Sequence, residues 1–302
     1  MDKWFDDKFE KRNFKNARKI DLDRDKIFYL PRRRLSITNW LIITNILVYL
    51  FLILIKTFRI LTEAQTLDIF ALQANAFFSG KVWQVLTSMF THLWLPHLIF
   101  NMISLFFVGS FLERIIGRKK FLWFYIVSGI FAGVFYSVLS FYLGTTSLGE
   151  KIFVNPNVYS IGASGAIFGL AGLLAVLTPF MKVYLIAGPV IALIINVFLD
   201  NIISSPEILN VINLLIMFYI FLSIFSIFSF NSKIRKIALP IEMSFWILPI
   251  VAILPLIIIS LFVPLPIGNT AHLGGLISGL IYGTYLKNKY KIKTALLKGY
   301  FK

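Results

Sequence analysis

The 302-residue chain is 58% hydrophobic and only 15% charged, with 30 Lys+Arg against 14 Asp+Glu and no cysteine. Soluble domains usually carry about 25% charged residues, so an ordinary soluble fold is excluded, and the absence of cysteine excludes disulfides, thiolate metal sites and a cysteine nucleophile. The net charge of +16 fits either nucleic acid or membrane orientation, and the placement of the charges has to decide between them.

Residues 1–35 are too polar and too mixed in sign for a signal peptide and read as a charged tail. Apolar stretches follow at about 37–58, 96–113, 121–143, 163–180, 183–200, 208–230, 241–263 and 271–286, each close to the length of roughly 20 residues that crosses a bilayer. The fold class is therefore an all-α polytopic membrane protein of about eight helices. The connection from Arg59 to Leu95 is too long and too apolar for a solvated loop, which predicts short interfacial helices or a re-entrant piece with Trp83 and Trp94 at interface depth. Residues 291–302 read as a second, basic tail.

If the N-terminus is cytoplasmic, 26 of the 30 basic residues fall inside, and only Lys56, Arg59, Lys81 and Lys151 fall outside. That bias predicts a multi-pass protein of the cell membrane with both termini cytoplasmic. It also assigns the basic excess to sidedness and anionic lipid, leaving no call for a nucleic-acid partner, since no aromatics interleave with a basic groove.

All three histidines, His92, His97 and His272, fall near the outer ends of spans in this topology. Ser164 stands at the outer start of its helix in Gly162-Ala163-Ser164-Gly165, with Gly169 four residues after Gly165. His272 stands at the outer start of another, followed by Gly275, Gly279 and Gly283. Glycines four apart line one helix face and let a second backbone approach closely. If the two helices pack together, Ser164 and His272 come within the reach that a nucleophile and its base require. The same pattern is equally consistent with helix packing alone.

His97 and Asn101 share a helix face and can supply donors to an oxyanion, with the Ser164 backbone N–H as a third. Asn101 is alternatively an interhelical hydrogen bond, and His92 is expected to position the neighbouring loop. Gly162-Ala163-Ser164-Gly165-Ala166 lacks the second glycine of a G-x-S-x-G elbow, and no acidic residue outside the tail has an obvious seat beside His272, which favours a Ser–His dyad. No metal site is expected, because no H-E-x-x-H motif is present, and no cofactor is called for.

Together these residues resemble the rhomboid family of intramembrane serine proteases. The resemblance rests on Gly162-Ala163-Ser164-Gly165, Ala271-His272-Leu273-Gly274-Gly275, and His97 with Asn101. Glu113, between Gly109 and Gly117, matches an acidic residue that acts as a structural tie. The resemblance implies a six-helix core over residues 36–290, Ser164 as nucleophile, His272 as base, and His97 and Asn101 at the oxyanion. It also implies Phe168 packed on His272, with Gly162, Gly165 and Gly275 in support. The implied substrates are single-pass transmembrane proteins cleaved near the outer face.

Two departures stand out. Roughly three spans separate Ser164 from His272 where the family core has one, which predicts an inserted helical hairpin at about 183–235. Gln84 follows Trp83 where the family often has Trp-Arg, which predicts weaker polar anchoring of that loop. An inactive rhomboid-like protein that binds transmembrane clients is the alternative function, although such relatives typically lack the Ser or the His.

Overall fold

The computed structural model describes residues 35–227, 231–261 and 268–301, so the charged tail expected over residues 1–35 lies almost wholly outside the described residues. Helix α1 (Ile37–Thr57) is followed by a connection made of α2 (Glu63–Phe70), strand β1 (Leu72–Gln73) and the short helices α3 (Ala74–Phe78) and α4 (Gln84–Thr87). This is the short-helix connection expected between Arg59 and Leu95. Next come α5 (Leu95–Ile116, π-helical over Leu105–Gly109), α6 (Arg118–Leu143), α7 (Ser147–Phe153), β2 (Tyr159–Ser160) and α8 (Ser164–Leu177). Strand β3 (Lys182–Ile186), α9 (Ala187–Ile202), α10 (Pro206–Ile227), α11 (Ser232–Arg235), β4 (Pro240–Ser244) and α12 (Leu248–Ser260) lead to α13 (Asn269–Lys289) and α14 (Lys291–Tyr300). Every one of the eight apolar stretches holds a helix. Among the described residues, α1, α5, α6 and the Pro206–Ser223 part of α10 are long and apolar enough to cross a membrane.

The helices form two compact units, one of residues up to Pro179 together with those from Gly268 on, the other beginning at Phe180. The core of the first is α8 packed between α6 and α13. Helix α8 is apolar on every side and buried from Gly165 to Leu174 with few breaks, as a helix without a polar face must be. Its 14 residues rise about 21 Å at 1.5 Å each, against a hydrocarbon core of about 30 Å. A helix this short starts or ends inside the bilayer, so its first residue, Ser164, can lie below the membrane surface.

Small residues make the close packing possible. A Cβ on Gly275 would overlap the Gly165 carbonyl oxygen, and one on Gly279 would overlap that of Gly169. The facing stripe of α6 is equally small, with Ser128, Gly129 and Ala132 buried against α8. Ser128 Oγ lies 2.8 Å from Ser278 Oγ, joining α6 to α13 beside Gly169. At the opposite end, Glu113 of α5 caps α1: its carboxylate accepts the Ile37 and Thr38 backbone N–H groups at 2.9 Å and the Thr38 hydroxyl at 2.8 Å. A negative group here satisfies donors that have no intrahelical partner and complements the positive end of the helix. Residues 291–300, expected as part of a tail, instead contain α14, which buries Thr294 and Leu297.

In the second unit, β3 and β4 pair antiparallel from Lys182↔Ser244 to Ile186↔Pro240. The pairing is continued by Phe245 N–H to Met181 O at 2.8 Å and Ala187 N–H to Leu239 O at 3.2 Å. The chain therefore leaves at Met181 and returns at Phe245, with the α9–α10 hairpin between. Tyr219 of α10 donates to the Ile237 carbonyl at 2.9 Å, fastening the returning chain to that hairpin.

Candidate active site

The turn before α8 is built on Gly162, whose φ of +109° is accessible to glycine and strained for other residues. Its N–H donates to the Ser88 carbonyl at 2.8 Å. A Cβ at this position would sit 2.7 Å from the His97 ring, so the glycine both makes the turn and admits the imidazole. Ala163 is the N-cap and offers no side-chain acceptor. The first-turn N–H groups of α8, that of Ser164 included, are thus left without an intrahelical acceptor.

Ser164 Oγ lies 2.7 Å from His272 Nε2. His272 is 8% exposed, and its ring stacks on Phe168 at 4.5 Å between centroids with 23° between planes. Its Nδ1 is buried and has no hydrogen-bond partner, so among the described residues no carboxylate extends the pair to a triad. The close α8–α13 packing sets this distance, because both side chains stand at helix starts flanked by the interlocked glycines.

Asn101 lies one helical turn after His97 and donates from Nδ2 to the His97 carbonyl at 2.8 Å. An amide carries two N–H groups, so one remains for another acceptor. The Asn101 Nδ2 is also 3.7 Å from the position a Cβ would take on Gly162. The structure thus gathers Ser164, His272, His97, Asn101, Gly162, Gly165, Phe168 and Gly275 around one turn.

His92, expected to position the neighbouring loop, meets the Phe90 backbone of that loop. It is fully buried, both ring nitrogens are without a partner, and its ring meets that of His97 edge-on at 5.0 Å. Burial first, then the neighbouring His97, hold its pKa down at about 4, opposed by a backbone contact with Phe90 that falls short of hydrogen-bond geometry.

A model of the Rhomboid domain matches residues 79–224 and 215–289, which is most of the chain. The chain belongs to the rhomboid family. It is 30% identical over 145 residues to RHOMBOID-like protein 12, mitochondrial, of Arabidopsis thaliana, covering 47% of this chain and 43% of that protein. It is 32% identical over 143 residues to the rhomboid protease AarA of Providencia stuartii (45% and 49%), and 35% identical over 114 residues to the rhomboid protease GluP of Bacillus subtilis (37% and 19%). In each case the match spans less than half of the relative's length. As a rhomboid, the protein is a helical, multi-pass membrane protein.

In this rhomboid the loop after Trp83 is not weakly anchored. Gln84, fully buried, accepts the Gln73 N–H at 3.2 Å and donates to the Asp68 carbonyl at 2.7 Å. Trp83 Nε1 donates to the Ile69 carbonyl at 3.1 Å and Thr87 Oγ1 to that of Phe70 at 3.0 Å. A neutral amide offers both N–H donors and a carbonyl acceptor, which suits two backbone groups of opposite kind, and no charge is buried. The same loop pairs β1 with β2, Leu72↔Ser160 and Gln73↔Tyr159, tying it to the strand just before Gly162. Neither this ladder nor the Ser128–Ser278 pair was evident from the sequence: a two-residue strand has no periodicity, and serines in spans are common.

Proposed function

We propose that this rhomboid is an intramembrane serine endopeptidase that cleaves transmembrane segments of single-pass proteins near the outer face of the cell membrane. The observation that carries the reading is the 2.7 Å approach of Ser164 Oγ to His272 Nε2. With the proton on Nδ1, His272 Nε2 accepts the Ser164 proton as Oγ attacks the scissile carbonyl, and then gives it to the leaving amine. The Ser164 N–H, the second N–H of Asn101 and His97 surround the oxygen on which charge develops, where fixed donors contribute most. Phe168 holds the His272 ring, and water then hydrolyses the acyl-enzyme.

The rhomboid-like membrane domain, on this reading, spans residues 36–290, and the α9–α10 hairpin is an insertion bracketed by β3 and β4. Pairing of the two strands favours that reading, since it returns the chain to its point of departure. The basic bias favours cytoplasmic termini for the charged tail of residues 1–35 and the basic segment 291–302. Labelling by a fluorophosphonate, together with cleavage of a model transmembrane substrate, tests the assignment. Both should be lost in Ser164→Ala and His272→Ala while the variants remain folded, and unaltered labelling of Ser164→Ala would overturn it. A client-binding protein without activity would leave the wild-type chain unlabelled.

A further inference from the structure

Helix α5 carries a buried polar side chain toward each of its ends. Asn101 lies beside the Gly162 turn, and Glu113 makes its three hydrogen bonds to the start of α1. Between them the backbone is π-helical over Leu105–Gly109. A π turn closes i→i+5 in place of i→i+4 and so holds one more residue than an α turn; such turns are rare and recur at functional sites. Asn101 and Glu113 are twelve residues apart. At about 100° per residue they would point about 120° apart around a regular α-helix, whereas absorbing one residue in the π turn leaves about 20° between them. The surplus residue falls on the outer side, where Phe106 and Phe107 are half exposed, while Leu105 and Gly109 are buried. Gly109 faces Thr38 of α1, the residue that Glu113 binds: a Cβ there would stand 3.1 Å from the Thr38 methyl group.

We propose that the π turn of α5 sets the rotational phase between Asn101 and Glu113, so that the Glu113 cap on α1 fixes the rotation of α5 and holds the Asn101 amide beside the Gly162 turn. Glu113 is on this account a positioning residue, acting about three turns away from Ser164's surroundings through one rigid helix. The consequence for reaction at Ser164 rests on the protease reading; the alignment of the two side chains does not.

The test uses the full chain in lipid nanodiscs with one residue removed or added. Deletion of Phe107 lets the π turn close as an α turn and keeps the alignment. Insertion of an alanine after Phe107 turns Glu113 by about a further 100°. The deleted chain should stay folded and react with a fluorophosphonate at a rate close to that of the intact chain. The insertion should slow labelling about a hundredfold, the scale of a misplaced or lost oxyanion donor. Tolerance of the deletion is the decisive arm, because a helix with no spare residue would be turned by about 100° in either variant. A second readout is independent of activity. Glu113→Ala should lower the melting temperature equally in the intact and the Phe107-deleted chains, and by much less in the insertion variant, where the carboxylate no longer faces Ile37 and Thr38. A deleted chain that fails to fold, is labelled as slowly as the insertion variant, or has lost the effect of Glu113→Ala would overturn the proposal. So would an insertion variant that matches the intact chain in both readouts. If the intact chain is never labelled, the protease reading fails while the melting temperatures still decide this inference.

Discussion

The α8–α13 seam is rich in glycine and the α10 helix in Ile, Leu and Phe, and the two are held in opposite ways. Along the seam, the Gly165 and Gly169 carbonyls occupy the space where Gly275 and Gly279 would carry side chains, so the backbones themselves are in contact. Along α10, Leu214, Leu215, Phe218, Phe221 and Phe225 are all more than half exposed and are suited to face lipid. In a bilayer, burying apolar surface against protein yields little that lipid does not already give. Precision therefore comes from van der Waals fit and hydrogen bonds, which the seam has and the outer face of α10 does not.

The largest test of this contrast is Gly279→Val. A side chain there meets the backbone of α8, which cannot give way as a flexible side chain would, so the variant should fail to survive extraction as a folded, monodisperse species in size-exclusion chromatography. Leu214→Val or Phe218→Leu on α10 should change stability by no more than about 0.5 kcal/mol, the range typical of surface positions. A comparable loss at both places would end the comparison.

Removal of residues 183–243, with Met181–Lys182 rejoined to Ser244–Phe245 through two glycines, sharpens it further. If the paired strands close an independent excursion, Ser164 of the shortened protein should still react with a fluorophosphonate, at a rate within about tenfold of the intact chain.

Smaller effects are expected where side chains tie segments together. Gln84→Ala removes the partner of the half-buried Gln73 N–H and Asp68 carbonyl and should cost about 1 kcal/mol, seen as faster proteolysis between Arg59 and Leu95. Gln84→Asn, too short to span both groups, should be nearly as damaging. Glu113→Gln keeps one acceptor for the α1 cap and should cost about 1 kcal/mol, within the range measured for caps.

A further test concerns pH. The His92 pKa is lowered in the folded protein to about 4 from 6.5. Above pH 6.5 the ring is neutral in both folded and unfolded chains and contributes no pH dependence. As pH falls from 6.5 toward 4 the unfolded chain takes up a proton that the folded one refuses, and stability declines. Thermal unfolding of His92→Gln should show a shallower decline over that window.

Sequence alone made the eight apolar helices legible, because a bilayer imposes a length and a composition that few other environments demand. It also singled out Ser164, His272, His97 and Asn101, because polar groups are costly at that depth and few are present. The glycine spacing indicated that two helices approach closely, but left open whether they pack on each other.

Only the tertiary structure decided that they do, since the 2.7 Å Ser164–His272 contact joins residues 108 positions apart, and spacing within a helix says nothing about its partner. Tertiary structure alone also showed how Gln84 anchors its loop and how β3 and β4 close the excursion. Both depend on backbone groups from distant segments meeting in three dimensions, and no local pattern in the chain encodes such meetings.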